Sequence, residues 1–122
     1  MLERVTLGQE AASYSAAVIT EGRLAFVSGH GPLTDGQVVR GTLEEETTLT
    51  LSNLIKTVEA VGGSKESIVK CNCYLADISQ FRAFDAAYRS YFGSGFPART
   101  TIEAPLYEGI KVEIEALVAL DT

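Results

Sequence analysis

Apolar residues along this chain recur with two different periods. Leu51, Leu54, Ile55, Val58 and Val61 stand three and four apart, which predicts one buried face of a helix. Ahead of them Thr42-Leu43-Glu44-Glu45 has the form of a capping box, and Gly62-Gly63 supplies the stop. Phe81, Phe84, Tyr88 and Phe92 make a second helical stripe, with Asp77 or Ser79 as its cap and Gly93 to Gly95 as its end. Between the helices the period falls to two. From Ser67 to Leu75, Val69, Cys71, Cys73 and Leu75 face one way, and Lys70, Asn72 and Tyr74 the other. Ala16 to Thr20 and Leu24 to Ser28 read as short strands, and Glu21-Gly22-Arg23 between them predicts a hairpin. Thr34-Asp35-Gly36-Gln37 predicts another turn, and strands over Arg99 to Ala104 and Lys111 to Leu120 close the chain.

The order is ββ(β)-α-β-α-β-β, an α+β fold in which two helices pack on one face of a mixed β-sheet. Leu24-Ala25-Phe26-Val27 and Ala116 to Leu120 are apolar at consecutive positions, hence on both faces of their strands. Two helices cover one face, so the other is expected to be covered by a further copy of the chain.

Composition narrows the function. At 122 residues the chain is read as one domain over 1–122, with 46% hydrophobic and 21% charged residues. A net charge of −6 with scattered basic residues disfavours nucleic acid. No secretory signal is read in MLERVTLGQE, and the longest apolar run, Ala116 to Leu120, is far too short to span a bilayer. Cys71 and Cys73 lack the further Cys or His residues a zinc site needs; free buried thiols and a cytoplasmic location are expected.

Candidate chemistry centres on FPART, residues 96–100. Strand alternation after Pro97 puts Arg99, Thr101 and Glu103 on one face. The Arg99 guanidinium either pairs with Glu103 or a carboxylate of the neighbouring strand, or grips a ligand's carboxylate with two parallel hydrogen bonds. In Lys111-Val112-Glu113-Ile114-Glu115-Ala116 the glutamates lie on a solvated face or hold a water, and spacing does not choose between them. His30 reads as a hydrogen-bonding loop residue, Ser28 has no triad context, and Gly29 and Gly31 suit either a close backbone approach or a plain turn. Tyr14 is a packing residue or a phenol at a pocket mouth. No phosphate loop, dinucleotide fingerprint or metal cluster is present in the sequence, so no cofactor or metal is expected.

SYSAAV (13–18), FVSGHGPL (26–33), KTVEAVGGS (56–64), IVKCNCYLADISQF (68–81), YFGSGFPART (91–100) and KVEIEA (111–116) occur in this order. Together they resemble the reactive intermediate (enamine/imine) deaminase family, Rid or YjgF-like, from about Ser13 to Ala119. The resemblance implies a chorismate-mutase-like homotrimer with three clefts between subunits. It implies that Arg99 binds the substrate carboxylate and that Glu113 positions the attacking water. Tyr14, Ser28, Gly29, His30, Asp85 and Thr101 are then expected at the substrate. The implied reaction turns a 2-imino acid into a 2-oxo acid and ammonia. Small 2-imino and 2-oxo acids are the expected ligands, without a membrane or nucleic-acid partner.

The chain departs from the family pattern at four places: Thr101 stands where Cys is frequent, His30 where Gln is, Asp85 where Asn is, and the Ala104 to Gly109 loop is a residue shorter. Asp85 adds a negative charge beside the expected anion site. The alternatives are a non-catalytic binder of small carboxylates and, less favoured by the charge, an endoribonuclease or translation inhibitor.

Overall fold

The computed structural model describes residues 2–120. Eight strands and two helices follow in chain order: β1 (Leu2–Val5), β2 (Ala17–Thr20), β3 (Arg23–His30), β4 (Leu33–Thr34), β5 (Gln37–Val38), α1 (Leu43–Ala60), β6 (Ile68–Leu75), α2 (Phe81–Phe92), β7 (Ala98–Glu103) and β8 (Val112–Leu120). The main sheet has the order β3-β8-β6-β7. Its β6–β7 pair is parallel and its other pairs are antiparallel, so it is mixed, as expected.

The helices form where the pattern placed them, except that Val61, read into the buried stripe of α1, follows its last residue and is 45% exposed. Thr42 accepts the Glu45 N–H while the Glu45 carboxylate takes the Thr42 N–H, so the capping box closes. Buried Leu51, Leu54 and Val58 of α1 and Phe84, Tyr88 and Phe92 of α2 press on one sheet face. That face is built from Val27, Cys71, Cys73, Leu75, Val112, Ile114, Ala116 and Val118. Asp77 accepts the Ser79 N–H and opens a short 3-10 turn, Ile78–Gln80, that leads into α2. Asp35 and Gly36, with φ of 51° and 78°, make the tight turn between β4 and β5.

The expected hairpin between Ala16–Thr20 and Leu24–Ser28 does not form. β2 pairs with β1, a strand the sequence reading missed, and β3 pairs with β8. The Gly22 turn is present (φ 96°), but it redirects the chain. A two-sided apolar strand such as β3 is better satisfied beside β8, where Phe26 faces Leu117 and Val27 faces Ala116, than on a short polar-flanked neighbour.

Among the described residues no helix covers the other sheet face. Leu24, Phe26 and Ile102 are exposed there, Phe26 to 75%.

Both cysteines are free and buried, and burial pushes the Cys71 thiol up to about 12, with Tyr88 and Arg99 pulling it partly back. A second buried polar group ties the loops to α1. Glu46, whose side chain is 1% exposed, accepts the Lys111 N–H at 2.8 Å, the Lys111 ammonium at 3.1 Å and the Gly41 N–H at 3.2 Å. Removing it strands two backbone donors. Glu46→Ala is expected to lower stability by about 3 kcal/mol. Urea unfolding checks this, and a loss below about 1 kcal/mol would show that the ties carry little.

Candidate active site

Arg99 lies on β7, the edge of the main sheet, directly opposite Cys71 on β6. Alternation therefore turns its side chain toward α2 rather than toward the helix-free face. There its carbon stem and guanidinium are walled by aromatic rings. The guanidinium carbon stands 4.7 Å from the Tyr88 ring centre, 5.4 Å from Phe81, and 5.8 Å from both Phe84 and Tyr14. The side chain is 5% exposed. Each ring face offers negative potential to the cation, which offsets part of its desolvation.

Its protein partner is neither Glu103 nor a carboxylate of the neighbouring strand. Nη1 of Arg99 donates to Oδ1 of Asp85, on α2, at 2.8 Å. Glu103 instead accepts the Ile78 N–H at the start of the 3-10 turn. The same Asp85 Oδ1 accepts the Ser13 hydroxyl. Burial alone would raise the Asp85 carboxyl, but the Ser13 and Arg99 hydrogen bonds and the charges of Arg99 and Arg89 outweigh it and hold it below the usual 3.8.

The segment carrying Tyr14 is fastened from both sides. Ser15 donates its N–H to Pro97 and its hydroxyl to Phe96, and Arg89 donates to the Ala11 carbonyl. Ser13 and Ser15 point inward and are buried, which leaves Tyr14 at the rim, 40% exposed. Ser13 is the contributor that sequence reading passed over. Its signal was the Ser-Tyr-Ser alternation, which puts two small polar side chains inward around one outward ring. Thr101 follows on the Arg99 face, opposite Cys73, and its buried hydroxyl lies beside the Cys73 thiol.

Glu113 belongs to the other face. It stands opposite Tyr74, which in turn stands opposite Ile102, so all three share the helix-free side. Some burial, then the Glu115 and Glu113 carboxylates, hold the Tyr74 phenol above its ordinary value, which is the electrical mark of that cluster. Between Val27 and His30, β3 holds one residue more than β8, a bulge at Ser28–Gly29. Gly29 is needed there: a Cβ on it would come within 2.1 Å of Oε2 of Glu113. The bulge thus lies against the carboxylate.

His30 is not free for a ligand. Its Nδ1 is 2.6 Å from the Ser28 carbonyl and its Nε2 2.7 Å from Oγ1 of Thr57 on α1. A carbonyl only accepts, so Nδ1 carries the proton. Both ring nitrogens are spent on fixing the bulge to α1.

The site residues therefore fall into two groups. Arg99, Asp85, Tyr14 and Thr101 gather about one ion pair on the helix side of the sheet edge; Glu113 stands with the Ser28–Gly29 bulge on the opposite face. Among the described residues no group of acids, histidines or cysteines is placed to hold a metal. No helix there is long and apolar enough to cross a membrane.

Residues 7–120 match the family model described as Endoribonuclease L-PSP. The chain is 41% identical over 110 residues to the mitochondrial protein mmf2 of Schizosaccharomyces pombe, across 87% of this chain and 86% of that one. It is 36% identical over 107 residues to human 2-iminobutanoate/2-iminopropanoate deaminase, across 85% of this chain and 77% of that protein. The crystal structure of yeast Mmf1 superposes with a TM-score of 0.78 at 28% identity, covering 99% of this chain and 100% of that one. The α+β fold is thus shared with solved relatives, and the chain belongs to the YjgF/Rid family.

The Asp85 arrangement has a measurable signature. Because its folded-state pKa is depressed, the stability it contributes is complete above the unfolded value of 3.8 and is lost as pH falls through the lower folded value. The difference in unfolding free energy between wild type and Asp85→Asn is expected to stay flat from neutral pH to about 5 and to shrink below that. A difference unchanged down to the acid limit of folding would contradict the ion pair.

Proposed function

We propose that this protein hydrolyses reactive 2-imino acids and their enamine precursors, of the 2-aminoacrylate and 2-iminopropanoate type, to 2-oxo acids and ammonia. The observation that carries the proposal is Arg99: a guanidinium 5% exposed, ringed by aromatics, with one hydrogen bond from its fork among the described residues. The rest of the fork makes no hydrogen bond among the described residues and is assigned here to the substrate carboxylate. Relatives named 2-iminobutanoate/2-iminopropanoate deaminase support the reaction type.

The chemistry asks little of the protein. The C=N carbon of a 2-imino acid is already electrophilic, so an anchored carboxylate and an oriented water are enough to bring it to reaction. Arg99 is assigned the carboxylate and Glu113 the water. Within one chain these groups face opposite sides of the sheet. One ligand meets both when the helix-free face of one copy covers the β7 edge of another, as in the clefts of a homotrimer. The exposed Leu24, Phe26 and Ile102 favour such a covering. The role that follows is removal of damaging metabolic intermediates, in the cytoplasm.

A second reading rests on Asp85. A guanidinium already half neutralised by its own chain suits a binder of small carboxylates without turnover. An endoribonuclease role is disfavoured by the net charge of −6.

The test generates 2-iminopropanoate with an amino-acid oxidase and follows its disappearance. Arg99→Ala and Glu113→Gln are each expected to lose about 100-fold or more. Wild type no faster than Arg99→Ala would remove the deaminase reading. The shared cleft has its own test. Arg99→Ala and Glu113→Gln chains, unfolded and refolded together, are expected to recover activity that neither has alone, since some clefts then hold both native residues. No recovery in confirmed mixed oligomers would remove the shared cleft, and with it the joint assignment of Arg99 and Glu113 to one ligand.

A further inference from the structure

Asp85 places a second fixed charge beside Arg99, and its bonding is lopsided. Both hydrogen bonds it receives, from Ser13 and from Arg99, end on Oδ1. Oδ2 has no partner among the described residues, and the side chain is 23% exposed against 5% for Arg99. The buried Ser13 spends its hydroxyl holding this carboxylate in place, on a segment itself fastened to Pro97, Phe96 and Arg89. The result is a rigid pair of opposite charges at the pocket with one carboxylate oxygen left over.

Such a pair has a defined complement. A plain carboxylate meets Arg99 but also the negative charge next to it. A ligand with a positive N–H group adjacent to its carboxylate meets both charges with the right signs. We propose that Asp85 makes the Arg99 pocket selective for carboxylates that carry a cationic N–H group on the adjacent carbon, and against carboxylates that carry a carbonyl there. This inference rests on the deaminase reading and deepens it. The protonated substrate, R–C(=NH2+)–COO−, adds water at carbon; the C–N bond then breaks to leave R–C(=O)–COO− and NH4+. The substrate donates an N–H to Oδ2, which keeps the iminium protonated and its carbon electrophilic. The product presents a carbonyl oxygen to the same carboxylate and is repelled, which favours release.

The experiment compares L-alanine and pyruvate, which share a carbon skeleton and differ in the group beside the carboxylate, by calorimetry on the intact protein. Asp85→Asn is the informative variant, because its side-chain oxygen still accepts from Ser13 and Arg99; a thermal melt checks that its fold is kept. Wild type is expected to favour alanine, and Asp85→Asn to move the affinity ratio toward pyruvate by about tenfold or more. Arg99→Ala is expected to lose both ligands. A ratio unmoved by Asp85→Asn, or no alanine binding to wild type at millimolar concentration, would overturn the assignment. Imine turnover is measured in parallel. Turnover with an unmoved ratio removes the role of Asp85 and leaves the deaminase; a moved ratio without turnover keeps the charge selection and removes the deaminase.

Discussion

Side chains on neighbouring strand positions leave a sheet on opposite sides, and this constraint governs the molecule. On β7 and β8 it sends Arg99 toward the helices and Glu113 away from them. No rotamer change brings the two onto one small ligand within a chain, because the sheet itself lies between them. The same alternation leaves Leu24, Phe26 and Ile102 on the helix-free side with Glu113. The surface that lacks a cover and the residue that lacks a counterpart are therefore on one face. A second copy supplies both needs in the proposed arrangement.

Around Arg99 the fold solves the problem of keeping a cation out of water. An unpaired buried charge costs several kcal/mol, roughly, even after local relaxation. Here the aromatic stripe of α2 provides ring faces, Asp85 provides the counter-charge, and the Ser13–Ser15 segment closes the rim. The stripe is part of the hydrophobic core as well, with Phe84, Tyr88 and Phe92 in successive ring contact at 5.6 and 4.8 Å. Core packing and the Arg99 ion pair thus share side chains, so the guanidinium is held as rigidly as the core around it.

On the opposite face rigidity comes from a bulge. The extra residue in β3 is pinned through His30 to Thr57 of α1, and the missing side chain at Gly29 gives the Glu113 carboxylate room. His30 acts at one remove, by holding backbone. The family resemblance puts it at the substrate, whereas the residues alone read it as a hydrogen-bonding group; the ring turns inward, where Thr57 and the Ser28 carbonyl satisfy both nitrogens.

The helices, the capping box of α1, the alternation of β6 and β7 and the Asp35-Gly36 turn were all legible in the sequence, because each depends on residues a few positions apart. The cap read for α2 at Asp77 or Ser79 instead opens the 3-10 turn before it. The candidate residues were also legible as types, a guanidinium after Pro97 and glutamates on a polar strand face. What the chain alone left open was partnership. The choice of β1 for β2 and of β8 for β3, the pairing of Arg99 with Asp85 in place of Glu103, and the recruitment of Ser13 join residues far apart in sequence. Periodicity says which way a side chain faces. It does not say what stands opposite, and that was decided by which strands could bury their apolar faces against one another.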